Sequence, residues 1–323
     1  MSDGIIVVEP VFGAHRMTDF SIVQRLESGP PLIMDGAMST ELAARGLVFN
    51  EREWLHINLD RPEVVAEIHA SYARAGAELH IANSFATARH VTEYYGFPDS
   101  FEALNRSAVE LCRAAVESAG TGRQWIAGSI STYAPNHDRG LLPDLDQMEA
   151  NCRDQALILA SAGCDLIVLE MIARGDMGAA MLRGAADAGL PVSVGIICDR
   201  HAEGTLVMRH RTLEPEPVTT GLTRILEAAP SQAQIIVTVM HTDVEQTTAV
   251  LDEVRASWSG LTGAYPHTGC PDGEGGWDMT EGCDQEAFTQ TCQDSVDRGV
   301  CFVGGCCGIG PDYIRALAQR LSA

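Results

Sequence analysis

Basic residues, aromatic residues and long apolar runs are all scarce in this chain of 323 residues. Only 22 basic residues, all of them arginine, stand against 44 aspartates and glutamates, which gives a formal net charge of -22 at pH 7. A surface this acidic repels phosphate groups, so we expect no nucleic acid and no anionic membrane as partner. No apolar run approaches the roughly 20 residues needed to cross a bilayer, and no secretion signal opens the chain. These absences predict a cytoplasmic protein that acts on a small molecule.

Disulfide cross-links are also not expected, although the chain contains ten cysteines. They are spread along a chain long enough to bury a large core, unlike the dense spacing of a small disulfide-stabilised domain. We therefore expect most of them to be reduced. Those in apolar or helical contexts are predicted to act as small hydrophobic residues, namely Cys112, Cys152, Cys164 and Cys292.

Short apolar runs alternate with helical patterns eight times, without a convincing linker between them. Alternation of this kind predicts a parallel sheet, and eight repeats predict a (β/α)8 TIM barrel that forms a single domain over residues 31–323. Residues 1–30 are predicted to be an N-terminal arm that caps the barrel bottom or contacts another subunit. The predicted strands span residues 32–35, 78–85, 125–130, 165–172, 192–198, 235–241, 261–265 and 301–303.

Two adjacent thiols, Cys306 and Cys307, follow the last predicted strand and are flanked by glycines. Such a pair makes a poor core element but a good pair of soft metal ligands. A catalytic zinc site takes three protein ligands and leaves the fourth position for water or substrate. His241, which ends the sixth strand, is the expected third ligand, with His267 and Cys270 as alternatives.

Other polar residues also end predicted strands, and the carboxyl ends of barrel strands meet at one mouth. Two carboxylates, an imidazole and two thiols should therefore converge there, although they are far apart in the sequence. Besides the residues named above, the strand-end set comprises Asp35, Asn83, Ser84, Ser129, Glu170, Cys198 and Asp199.

The segment Gly304-Gly305-Cys306-Cys307-Gly308 resembles the zinc-binding segment of the homocysteine S-methyltransferase family. Residues 34–42 resemble the first strand and turn of that family, and residues 83–85, 127–130 and 169–172 resemble its next strand ends. The similarity covers roughly residues 31–321. It implies a zinc-dependent barrel that transfers a methyl group from a sulfonium or quaternary ammonium donor to a thiol, with homocysteine giving methionine.

The resemblance also implies residue roles. Zn2+ would replace the proton of the acceptor thiol and hold it as a thiolate near neutral pH. Asp35 and Glu170 would act as the catalytic carboxylates by binding the amino group of homocysteine through charge-assisted hydrogen bonds. The predicted substrate-binding residues are Asp35, Gly36, Asn83, Ser129, Glu170 and Tyr265.

Two segments depart from the family pattern. Met240-His241 stands where the family has Asn-Cys, and His267-Thr268-Gly269-Cys270 stands where it more often has Asn-Ser-Gly. A neutral histidine in place of a thiolate makes the zinc complex with substrate thiolate less negative by one charge. This predicts a weaker sulfur nucleophile, or one matched to a reactive donor such as a sulfonium.

The sequence leaves two other hypotheses about the function open. A zinc hydrolase would use Glu170 or Asp199 as general base, although two thiolate ligands reduce the power of zinc to acidify water. A catalytically silent barrel would only bind a thiol or a metal. The sequence also leaves open the methyl donor, an acceptor other than homocysteine, and assembly into a homo-oligomer.

Overall fold

The computed structural model of the protein describes residues 21–47, 50–201, 204–209, 213–271, 277–278 and 282–322. Within these ranges the strands are β1 (Leu32–Ile33), β2 (Leu79–Ala82), β3 (Trp125–Ser131), β4 (Leu166–Ile172), β5 (Val192–Ile196), β6 (Cys198–Arg200), β7 (Leu206–Met208), β8 (Glu216–Pro217), β9 (Ile235–Asp243), β10 (Leu261–His267), β11 (Cys270–Pro271), β12 (Trp277–Asp278) and β13 (Phe302–Val303). The helices are α1 (Ile22–Ser28), α2 (Met38–Ala44), α3 (Glu51–Asp60), α4 (Pro62–Ala75), α5 (Arg89–Tyr94), α6 (Phe101–Ala119), α7 (Leu145–Ser161), α8 (Gly175–Ala186), α9 (Val218–Glu227), α10 (Val244–Ser257), α11 (Gln285–Asp297) and α12 (Pro311–Leu321).

Eight of the strands are parallel and follow the order β1-β13-β10-β9-β5-β4-β3-β2. A parallel bridge between Met34 and Leu79 joins the two ends of this sheet and closes it into a ring. Helices connect successive strands, so the predicted (β/α)8 TIM barrel is confirmed. Each of the eight predicted strands is present, with its ends within three residues of the predicted ones. In the ranges described, no helix has both the length and the apolar character needed to cross a bilayer.

Side chains of the barrel strands alternate between two apolar layers, as the two-residue period of a strand requires. In β4, Leu166 and Val168 pack in the barrel interior, whereas Ile167 and Leu169 pack against the surrounding helices. This alternation places polar residues at the strand ends on either the interior or the helix side of the barrel wall.

Helix α1 covers the lower end of the barrel. Its buried residues Ile22 and Leu26 belong to the same apolar cluster as Leu32 and Trp125, which begin two barrel strands. For residues 21–30 this packing favours a cap over a subunit contact. Residues 1–20 of the predicted arm lie outside the described residues, and the division into residues 1–30 and 31–323 stays a prediction.

The predicted end of the fifth barrel strand was wrong. That strand ends at Ile196, and Cys198 begins an antiparallel sheet of β6, β7 and β8. Because Ile197 and Cys198 are as apolar as the strand before them, hydropathy alone could not reveal the change of direction. The backbone N–H of Cys198 donates to the hydroxyl of Thr242 at 3.1 Å, which holds this insertion against the end of β9. Helix α3 was also not predicted.

Two buried histidines are expected to make the fold sensitive to acid. His69 on α4 and His80 on β2 are 1% and 0% exposed, and burial lowers their pKa values to about 3 and about 4. Above pH 6.5 both are neutral in the folded and unfolded chain; below it the unfolded chain binds protons that the folded one excludes. Between pH 7 and pH 5 the free energy of unfolding should therefore fall by about 4 kcal/mol from these two groups.

Urea titrations of the wild type and of His69→Leu at both pH values check this expectation. The pH-dependent fall should be about 2 kcal/mol smaller in the variant, because one of the two histidines is gone. The control is Ile68→Val, a neighbouring core substitution that should lower stability equally at both pH values. An unchanged pH dependence in His69→Leu would contradict the assignment.

Candidate metal centre

The loop between β13 and α12 holds Cys306 and Cys307 at the mouth of the barrel. The backbone N–H of Cys306 donates to the carbonyl of Pro266 at 2.8 Å, and the N–H of Thr268 donates to the carbonyl of Cys307 at 3.0 Å. Both bonds tie the loop to the end of β10. The thiols are therefore presented by a backbone fixed against the neighbouring strand rather than by a free loop.

The glycines before the thiols are required by close packing. A Cβ on Gly304 would lie 2.6 Å from the Cβ of Met34, and a Cβ on Gly305 would lie 2.2 Å from the side chain of Ile309. The N–H of Gly305 also donates to the carbonyl of Asp35 at 3.0 Å. The Gly-Gly-Cys-Cys sequence thus lets the backbone of the last loop approach the end of the first strand closely.

Three predicted metal ligands lie together at this mouth. Nδ1 of His241 is 3.4 Å from Sγ of Cys306, and the two cysteine sulfurs are 4.0 Å apart. One ligand atom from each residue lies within 4.8 Å of the others, and all three residues are partly buried. No other cluster of three or more histidine, cysteine or acidic residues with this spacing occurs in the part of the chain that the structure describes. Cys270 is exposed and lies outside the group. His267 is partly buried and also lies outside it.

His241 reaches this group because β9 contains a bulge. Val239 packs on the helix side and Met240 in the barrel interior, so regular alternation would direct His241 toward the helices. Instead its φ is 42°, and the pairing of β9 with β10 shifts by one residue after Met240. Such a bulge re-aims a side chain. The left-handed conformation costs roughly 1–2 kcal/mol, and histidine is among the residues that adopt it more often.

Glu170 at the end of β4 faces the same mouth. Its carboxylate accepts hydrogen bonds from the hydroxyls of Ser129, at the end of β3, and of Tyr265, the latter at 3.2 Å. Burial raises the pKa of Glu170, while these two hydrogen bonds and the nearby His241 lower it. The two hydroxyls fix the orientation of the carboxylate, and no arginine forms an ion pair with it in the described ranges.

Asp35 after β1 is the second buried carboxylate and is 2% exposed. Its Oδ2 accepts the backbone N–H of Ile81 at 3.1 Å and lies 3.8 Å from Nδ1 of His80. Its Oδ1 has no hydrogen-bond partner within the described part of the chain. Burial raises the pKa of Asp35 well above its usual value, and the negative charge of Glu170 raises it further. A cation bound between the two acids would relieve both effects.

The remaining predicted site residues have structural contacts at the rim. The amide of Asn83 donates to Oδ1 of Asn58 at 2.8 Å, and Asn58 donates back to the Asn83 carbonyl at 2.8 Å. A Cβ on Gly36 would lie 2.2 Å from the carbonyl oxygen of Ile309. Ser84 donates to the carbonyl of Ser129 at 2.8 Å. Contact of these residues with a substrate stays a prediction.

Sequence reasoning missed Asn58 and His80. His80 could have been noticed, because it is the one polar residue in the apolar run Leu79-His80-Ile81-Ala82. A buried imidazole in a strand needs a polar neighbour. Asn58 gave no such signal, since it lies in a helix that was not predicted. Asp199, one of the two bases considered for a hydrolase, lies on the antiparallel insertion and pairs with Arg209 at 2.9 Å.

Comparison with known proteins places these features in a family. Residues 32–321 match the family model described as homocysteine S-methyltransferase. The chain is 25% identical to the S-methylmethionine–homocysteine S-methyltransferase of Pongo abelii, over 96% of this chain and 82% of that protein. It is 24% identical to the selenocysteine Se-methyltransferase of Brassica oleracea var. italica, over 91% of this chain and 90% of that protein.

Among solved structures, the metallated form of the homocysteine methyltransferase MmuM from Escherichia coli has the same fold. It aligns with a TM-score of 0.73 and 22% identity, over 91% of this chain and 98% of that one. The family match covers nearly all of the barrel, including the cysteine pair and both mouth carboxylates. The chain therefore belongs to the homocysteine S-methyltransferase family and is an S-methyltransferase.

Proposed function

We propose that the protein methylates the thiol of homocysteine at a zinc ion held by His241, Cys306 and Cys307, and that the methyl donor is a sulfonium compound. The observation that carries this proposal is the spacing of the three ligand atoms at the barrel mouth. Two buried carboxylates at the same mouth, Asp35 and Glu170, support it further, because they can bind the amino group of the acceptor.

The donor set fits zinc in both chemistry and spacing. With zinc–sulfur bonds of about 2.3 Å and zinc–nitrogen bonds of about 2.0–2.1 Å, tetrahedral angles put two sulfurs about 3.8 Å apart and nitrogen about 3.5 Å from sulfur. The observed separations are 4.0 Å and 3.4 Å. Two thiolates and an imidazole are ligands that zinc prefers, and three protein ligands leave one position for the acceptor.

When bound, zinc would lower the pKa of the acceptor thiol, so that the thiol proton is released to solvent and the sulfur is a thiolate near neutral pH. The sulfur attacks the methyl carbon of the donor from the side opposite its onium atom. A carbon–sulfur bond forms as the bond from that carbon to the onium atom breaks. The electron pair stays on the departing atom, so a sulfonium donor leaves as a neutral thioether.

Asp35 and Glu170 would hold the ammonium group of homocysteine. An ammonium has three N–H donors, and the unpartnered Oδ1 of Asp35 is a buried acceptor that such a donor would satisfy. Ser129 and Tyr265 keep the Glu170 carboxylate in one orientation. The binding energy of the amino group would thereby fix the position of the reacting sulfur.

A reducing compartment is consistent with this chemistry. All ten cysteines are unpaired thiols, including the exposed Cys270. Free thiols persist in the cytosol, where disulfides are rare. We keep the cytoplasm as the expected location on this ground.

A methyl-transfer assay tests the function directly. The metal-loaded protein is incubated with methyl-labelled S-methylmethionine, or with a labelled quaternary ammonium donor, and with homocysteine. We expect labelled methionine from the sulfonium donor, loss of turnover on chelation and recovery with zinc. Tight homocysteine binding without turnover for any donor would favour a silent barrel, and ester or amide hydrolysis without methyl transfer would favour a hydrolase.

His241→Cys is expected to change donor preference. A third thiolate adds one negative charge at the metal and makes the acceptor sulfur a stronger nucleophile. The variant should keep one metal per chain, and its rate with a quaternary ammonium donor should rise about tenfold relative to its rate with a sulfonium, a difference of about 1.4 kcal/mol in activation energy.

The measurement is the ratio of kcat/KM for the two donors in the wild type and in the variant. His241→Asn serves as the control, because asparagine tolerates the left-handed backbone but adds no charge. An unchanged donor ratio in His241→Cys, with metal content retained, would contradict the charge argument.

A further inference from the structure

His267 at the end of β10 contacts His241 in two ways. The two imidazole rings stack with centroids 4.4 Å apart and planes inclined by 35°. The ring of His267 also donates a hydrogen bond to the backbone of His241. His267 is itself mostly buried and stands outside the three-residue ligand group.

These contacts fall at the bulge that turns His241 toward the thiols. In the β9–β10 pairing, Met240 lies opposite Tyr265 and Asp243 lies opposite His267. The two bulged residues of β9, His241 and Thr242, therefore face Pro266 alone. Proline has no N–H, so the β10 backbone offers no donor at this point. The ring of His267 supplies a donor there instead.

We propose that His267 is a positioning residue for His241, which holds the bulged backbone and the imidazole plane so that Nδ1 faces the sulfurs of Cys306 and Cys307. The stack limits rotation of the His241 ring, and the hydrogen bond anchors the residue in its left-handed conformation. The inference rests on the proposed function in one respect, the role of His241 as a metal ligand.

The positioning role of His267 depends on the type of residue at position 241. A cysteine ligand is short and has no ring plane to orient, whereas an imidazole must present one nitrogen along one direction. His267 is therefore expected to matter because residue 241 is a histidine. Its effect should depend on which residue occupies position 241.

The test is zinc affinity, measured by competition with a chelating dye, together with the visible absorption spectrum of the Co2+-substituted protein. His267→Phe keeps a ring for stacking but loses the donor, and His267→Gln keeps a donor but loses the ring. We expect His267→Phe to weaken zinc binding ten- to a hundredfold, as is usual when a partner of a metal ligand is lost, and His267→Gln to recover part of the loss. The Co2+ bands should shift in His267→Phe.

The same substitution in a His241→Cys background separates positioning from general support of the rim. There His267→Phe should change zinc affinity less than twofold. An equal loss in both backgrounds, or no loss and no spectral change in the wild-type background, would overturn the inference. The proposed ligand set fails by a different result, namely a His241→Ala variant that binds zinc as tightly as the wild type.

Discussion

Replacing both Cys306 and Cys307 by alanine is expected to remove the metal from the protein and to lower methyl transfer by at least about a thousandfold. Two of the three proposed ligands are lost, and a single imidazole does not hold zinc. The acceptor thiol then keeps its ordinary pKa of about 8.5 and is mostly protonated at pH 7. The acceptor sulfur also loses the fixed position, relative to the methyl donor, that the metal would give it.

Metal content by elemental analysis and initial rates with a labelled donor check this prediction. Cys270→Ala is the matched control, because Cys270 is an exposed cysteine outside the ligand group. It should keep one metal per chain and its activity. A double variant as rich in metal as the wild type would remove the basis of the proposed centre. Loss of metal in Cys270→Ala alone would assign the third ligand to Cys270 instead of His241.

The barrel could be predicted because its signals are local. Each barrel strand is a short apolar run, and each connection contains a helix with its own period, so eight repeats already imply a ring. The insertion after Ile196 gave no comparable signal. Its first residues are apolar, and the direction of the next strand depends on a partner, β7, that starts at Leu206. Hydropathy cannot distinguish a parallel strand from an antiparallel one here.

The residues of the site were predictable, but their arrangement was not. The strand-end rule brought His241, Glu170 and the cysteine pair to one mouth, because in a barrel that rule depends only on where strands stop. Regular alternation would have sent His241 to the opposite side of the barrel wall. Only the register shift between β9 and β10, seen in the structure, shows how its ring reaches the thiols.

Partner residues are the least predictable part of such a site. His267 was considered as a ligand, because a histidine that follows a barrel strand is a natural candidate. The structure instead stacks it on His241. Which of two histidines approaches the thiols depends on one extra residue in a neighbouring strand, and no pattern within either segment encodes that.

Glu170→Gln is expected to lower kcat/KM for homocysteine by about a hundred- to four-thousandfold. Removing one charge of a buried ion pair costs about 3–5 kcal/mol, and each 1.4 kcal/mol is a tenfold change in rate. Glutamine keeps the shape of the side chain. Its amide oxygen accepts from one of the hydroxyls of Ser129 and Tyr265, and the other hydroxyl turns to accept from the NH2 group. The loss therefore reports the charge that faces the acceptor's ammonium.

A second acceptor tells whether that charge acts on the amino group. 4-Mercaptobutanoate is homocysteine without its amino group, so wild-type protein should strongly prefer homocysteine, and Glu170→Gln should lose most of this preference. The control is Glu216→Gln, which removes another buried carboxylate, one that pairs with Arg224 at 2.8 Å and accepts the N–H of Gly175 at 2.7 Å. It should lower stability and leave the acceptor ratio unchanged. Equal losses for both acceptors in Glu170→Gln would mean that the carboxylate supports the metal or the fold, and the ammonium would then have to bind to Asp35 alone.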